Sequence, residues 1–76
     1  MKLSEVKLKL EHGESLEFEL MRNPSDIVKW VVWIQESSGK SYLLLDDRNE
    51  AVNHGDSNEI LTLLHSIGVR RAQVML

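Results

Sequence analysis

Seventy-six residues without a cysteine make one small domain, 1–76, with no disulfide staple and no thiolate metal site. The net charge of −3 is spread evenly: residues 1–38 hold five Lys/Arg and seven Asp/Glu, and residues 39–76 hold four and five. No basic block therefore offers a non-specific hold on phosphates.

A domain this short buries only about 60% of its extended surface. It depends on a well-packed core, on self-association or on a partner. No apolar run approaches the roughly 20 residues of a membrane span. MKLSEVKLKL lacks the order of a signal peptide, which points to a cytoplasmic protein with no membrane partner.

Met1–Glu14 fits two readings. As a strand, Val6, Leu8 and Leu10 alternate with Lys7, Lys9 and Glu11. A His12-Gly13-Glu14 loop then sets them opposite Leu20, Phe18 and Leu16. As a helix over about 3–12, Ser4 is the N-cap, and Leu3, Val6 and Leu10 share a face. Glu5 and Lys9 are then four apart, and Gly13 ends the helix. The helix reading leaves Leu8 off the apolar stripe.

Leu16–Met21 is a strand with Leu16, Phe18 and Leu20 on one side and Glu17 and Glu19 on the other. Asn23-Pro24 signals a turn. With Arg22–Asp26 as the loop, Phe18 falls opposite Trp30 and Glu19 opposite Lys29. Ile27–Glu36 is the central strand and the most apolar stretch. A turn at Ser37–Lys40 pairs Glu36 with Ser41, Ile34 with Leu43 and Val32 with Leu45. Asp46–Glu50 is a polar loop, and Ala51–Asn53 suggests a short further strand.

Asp56, with Glu59 three residues on, approximates a capping box and starts a helix over about 56–67. Ile60, Leu61, Leu63, Leu64 and Ile67 form its apolar face. Gly68 stops it, and Val69–Leu76 is a last strand with Arg71, Gln73 and Met75 on one side. The fold class is α+β: a mostly antiparallel sheet of three to five strands, with the helix on one face. Leu16, Phe18, Leu20, Val28, Trp30, Val32, Ile34, Leu43 and Leu45 are expected under it.

LSEV near the start, EHGE, the Lys29-Trp30 pair, a polar turn before the helix and LLHSIGVRRAQVML resemble a type of small proteobacterial protein. Some of these are encoded near plasmid partition genes. The resemblance covers nearly the whole chain and implies helix, three or four strands, helix, strand. It therefore favours a helix in Met1–Glu14. This chain departs from the pattern at Asn49, where such proteins often carry a turn glycine, and in the less helical VKLKL. The resemblance supplies no catalytic residues.

His12, His54 and His65 lie in a turn, a loop and the wet side of a helix. No two have ligand spacing on one element, so neither metal nor other cofactor is expected. Asp46, Asp47 and Glu50 read as a solvated turn without the EF-hand pattern. Ser37–Ser41 joins two strands and lacks phosphate-loop spacing. No arrangement points to an enzyme or to a small-molecule substrate.

One helix covers one face of the sheet. Ile27, Val31, Trp33, Tyr42 and Leu44 then form an apolar outer face, expected to bind a protein partner or a second copy. A helical N-terminus lying over that face would make Trp33 core instead. The alternative is nucleic-acid contact through Lys29, Arg70 and Arg71, which the acidic balance opposes.

Overall fold

The computed structural model describes all 76 residues. Its elements are helix α1 (Leu3–Glu11), strands β1 (Leu16–Asn23), β2 (Asp26–Glu36) and β3 (Ser41–Leu43), helix α2 (Ser57–Ser66) and strand β4 (Gln73–Val74). The sheet order is β3-β2-β1-β4, antiparallel except where β4 runs parallel to β1. This is an α+β fold. No helix is long and apolar enough to cross a membrane.

The N-terminal segment is a helix, and Leu8 is the residue that suffers from it. Val6 is fully buried, Leu3 and Leu10 pack on the core, and Leu8 is 54% exposed. The N-cap is Lys2 rather than Ser4, and the Glu5 carboxylate accepts the Lys2 main-chain N–H at 3.2 Å. That contact satisfies a donor the first helical turn leaves free. Lys9 turns to Glu14 (3.5 Å) and Glu36 (3.6 Å) rather than to Glu5. Gly13 takes a φ of 77°, which a side chain would resist. In α2 the Asp56 carboxylate caps the Asn58 N–H at 2.9 Å, while Glu59 lies 3.4 Å from His54.

Both hairpin registers differ from expectation. β1 continues to Asn23 and β2 begins at Asp26. The Asn23 side chain accepts the Ser25 N–H at 2.9 Å, so the turn is tighter than a five-residue loop. Phe18 consequently pairs with Ile34, and Arg22 pairs with Trp30. Because Asn23 pairs with Asp26, residues 27–29 have no partners in β1 and bulge out. Ile27 and Val28 are 72% and 65% exposed, so Val28 is not core. The partner shift is an even number of residues, so every other side chain keeps its face. Arg22 anchors the bulge: its guanidinium lies 4.2 Å from the Trp30 ring centroid, and Nη1 donates to the Ile27 carbonyl at 3.1 Å.

The β2–β3 register is shifted by one. The Glu36 N–H donates to the Lys40 carbonyl rather than pairing with Ser41, and Gly39, at φ 92°, donates its N–H to the Glu36 carbonyl and closes a three-residue loop. Ile34 pairs with Tyr42 and Trp33 with Leu43. The odd shift reverses β3: Tyr42 and Leu44 join the core side, and Leu43 goes outward.

Ala51–Asn53 is not a strand. Ala51 bridges Leu45 and His54 bridges Trp30, which extends the β3 side of the sheet past the point where β3 ends. The last strand is limited to Gln73–Val74.

Two crossovers place both helices on one side. β3 and β4 run parallel at opposite edges, and α2 carries the chain between them. Lys2 bridges Leu45 in parallel, and α1 carries the chain from there to β1. A single cluster joins Val6 of α1 and Ile60 and Leu64 of α2 to Phe18, Leu20, Trp30, Val32, Ile34 and Leu44. The Gly68 Cα region lies against Leu10, where an added Cβ would sit 3.9 Å from a Leu10 methyl, so the helices also meet each other. The sheet's other face has no helix over it.

Candidate functional site

The uncovered face is built from the odd-numbered positions of the strands. Trp33 stands between Glu19 of β1 and Leu43 of β3; Val31 pairs with Met21, and Gln35 lies between Glu17 and Ser41. Gln73 of β4 lies beside Glu19. The ladder continues to Met75, whose N–H donates to the Leu20 carbonyl at 2.8 Å.

Trp33 is 38% exposed, whereas Val31 on the same face is 5% exposed and stands apart from the main core. Val31 thus belongs to a small apolar patch on this face, with Met21 opposite it in the ladder and Trp33 two residues along β2. Such a patch on an otherwise polar surface is the ordinary mark of a contact site, and tryptophan is enriched at the energetic centre of contacts.

Beside Trp33 the face sinks into a groove of about 750 Å³. Glu17, Glu19, Trp33, Gln35, Arg70, Arg71 and Gln73 are among the residues that line it. The groove opens because the chain entering β4 diverges from β1 before the ladder begins at Glu19 and Gln73. All ion pairs of the structure lie elsewhere, at Lys9–Glu14, Lys9–Glu36 and His54–Glu59. Two carboxylates and two guanidiniums thus share the groove without an ion pair.

Of the five residues expected on the outer face, Val31 and Trp33 are there. Tyr42 and Leu44 are on the helix side: Leu44 is fully buried and donates its N–H to Val32 at 2.9 Å. Ile27 is in the exposed bulge rather than beside Trp33. The three expected nucleic-acid contacts are divided. Arg70 and Arg71 reach the Trp33 groove, and Lys29 belongs to the bulge beyond Val31. Leu43 lies on this face, contrary to expectation, because the β2–β3 loop has three residues rather than four. The pairing of Gln73 with Glu19 had no signal in the sequence, since it depends on a parallel contact between distant segments.

The other polar clusters have structural roles. Asp46 Oδ1 accepts the N–H groups of Arg48 (2.8 Å) and Glu50 (3.0 Å), which organises its loop. Asn49 in that loop has a φ of 65°, a conformation glycine adopts freely and asparagine tolerates. Glu36 faces Tyr42 and Lys9. Its carboxylate, through a hydrogen bond, is the main cause that raises the Tyr42 pKa, with burial second. Glu14, and then Glu36, hold the Lys9 ammonium above the usual lysine range. This group ties α1 to the end of β2.

No family model, curated protein or solved structure matches this chain.

Proposed function

We propose that the protein is a small non-catalytic, cytoplasmic interaction module that binds a protein partner through the uncovered sheet face. One observation carries the reading. Both helices lie on the same side of the sheet, so the other side presents a half-exposed Trp33 over buried Val31, next to a groove with unpaired charges. An aromatic anchor beside a polar rim is the usual composition of a protein contact.

The test is a photo-crosslinking side chain placed at Gln35, in the groove, or at Glu11, on the exposed side of α1, in living source cells. A protein adduct from position 35 and none from position 11 is expected. No adduct at 35, or equal labelling at both positions, would overturn the reading. Fractionation of the same cells tests the cytoplasmic address.

A nucleic-acid reading draws on Arg70 and Arg71 beside Trp33, because an open sheet face with an aromatic is an RNA-binding arrangement. Glu17 and Glu19 in the same groove, and Lys29 outside it, oppose that reading. It predicts salt-dependent retention of a single-stranded oligonucleotide, lost in Arg70→Ala/Arg71→Ala.

A further inference from the structure

We infer that the occupant of the uncovered face is a second copy of this chain, related by a two-fold axis running along the strands between β1 and β4. This inference rests on the reading above and names the partner. It comes from the order of side chains on the two strands. Glu19 pairs with Gln73 in parallel register. Two residues back lie Glu17 and Arg71, which line the groove with Trp33. Two residues forward lie Met21 and Met75, and Met75 is still tied to β1 through Leu20. On the outer face β1 reads Glu17, Glu19, Met21; beside them stand Gln73 in the ladder, Met75 just beyond it, and Arg71 across the groove from Glu17.

A two-fold along the strand direction lays β1 of one copy over β4 of the other and preserves strand direction. It sets Glu17 against Arg71 of the second copy, Glu19 against Gln73 and Met21 against Met75, each contact occurring twice. Acid meets base, carboxylate meets amide and thioether meets thioether. Two sheets stacked face to face in this way keep their strands within about 30° of each other. Neither Glu17 nor Arg71 has an ion pair within its own chain, and Met75 is exposed, so each is free to make the contact. Trp33, one strand away, flanks the β4 edge of the second copy. A self-complementary face also answers the small size of the chain, because the dimer adds buried apolar surface that one copy lacks.

Charge exchange tests this. Glu17→Arg sets arginine against Arg71 twice, and Arg71→Glu sets glutamate against Glu17 twice. Each variant should sediment as a monomer, with the dimer Kd raised more than about tenfold, since like charges set opposite each other disfavour the contact. Mixed one to one, the two variants should form a heterodimer, because both exchanged pairs are then complementary. The double variant should dimerise like wild type. Both positions are exposed, and circular dichroism verifies the fold of each variant.

A wild-type chain that stays monomeric across the concentration range, or single variants that dimerise as wild type does, would overturn the inference. The outcomes also separate it from the broader reading. A monomer that still crosslinks a different protein from position 35 removes the second copy and leaves the interaction face. Absence of both removes both.

Discussion

The Glu36 N–H donates to the Lys40 carbonyl at 2.8 Å, and this pairing decides which side of the sheet β3 presents. It makes the loop Ser37-Ser38-Gly39, three residues long, and the parity of everything after it follows. With Glu36 opposite Ser41 instead, Leu44 would face out beside Trp33. Leu43 would turn inward in exchange.

The register predicts unequal costs for two adjacent leucines. Leu44→Ala, at a fully buried position, is expected to cost about 2–5 kcal/mol. Leu43→Ala, on the outer side, is expected to cost about 1 kcal/mol, typical of ordinary point substitutions. Urea unfolding of both variants measures the difference. The reverse order would mean the opposite register.

Gly39 should resist replacement for conformational reasons alone. At φ 92° an added Cβ meets nothing within 4 Å, but an L side chain in that region costs about 1–2 kcal/mol. Gly39→Ala should lower the urea midpoint without changing the slope. Gly39→Asn should lower it less, since asparagine tolerates positive φ.

Val6 and Leu8 distinguish a helix from a strand at the N-terminus. Val6→Ala should destabilise by about 2 kcal/mol, from two methyl groups and the space they leave. Leu8→Lys, at a solvent-facing position, should lie within about 0.5 kcal/mol of wild type. In a hairpin both side chains would share one apolar face and both changes would be costly.

Asp46→Ala should cost about 1 kcal/mol. The loss is two charge-assisted hydrogen bonds, from the Arg48 and Glu50 amides to Asp46 Oδ1, comparable to loss of a helix N-cap. Thermal melts of wild type and variant, with and without calcium, check this. The shift should be the same in both, because the carboxylate organises backbone rather than a cation.

At alkaline pH the Lys9–Glu36–Tyr42 group should weaken. Both titrating members have pKa values raised in the fold, Lys9 from 10.5 chiefly by Glu14 and Tyr42 from 10.0 chiefly by Glu36. A raised pKa contributes stability that is complete below the ordinary value and is lost as pH rises through the folded one. Melting temperature should therefore fall above about pH 10. Lys9→Met and Tyr42→Phe should each flatten that fall, and added salt should reduce it.

The outer face was only partly legible in the sequence. Alternation placed Val31 and Trp33 on it correctly, and it placed Glu17 and Glu19 beside them. It misplaced Tyr42 and Leu44, because alternation orders residues within a strand but leaves its phase against a neighbour to the turn. In the first hairpin the error was an even number of residues, so Trp30 stayed in the core although its partner changed from Phe18 to Arg22. In the second it was odd, and a whole strand reversed.

The sequence by itself determined the segments: a strand from Leu16, the long central strand, the polar loop, and the helix capped by Asp56 with Ile60 and Leu64 inward. These rest on local periodicity and local capping, which neighbouring residues are enough to specify. Tertiary structure decided the rest. Val6-x-Leu8-x-Leu10 fits a strand period, yet the segment is a helix, because a helix seats Val6, Leu3 and Leu10 on the core at the cost of exposing Leu8. The side of the sheet each helix takes depends on crossovers joining edges far apart in the chain. The juxtaposition of β1 with β4, which brings Arg71 to Glu17 and Trp33, is a parallel contact between segments more than fifty residues apart. No local pattern encodes it. It follows from which surfaces remain to be buried once β1, β2, β3 and the two helices have packed.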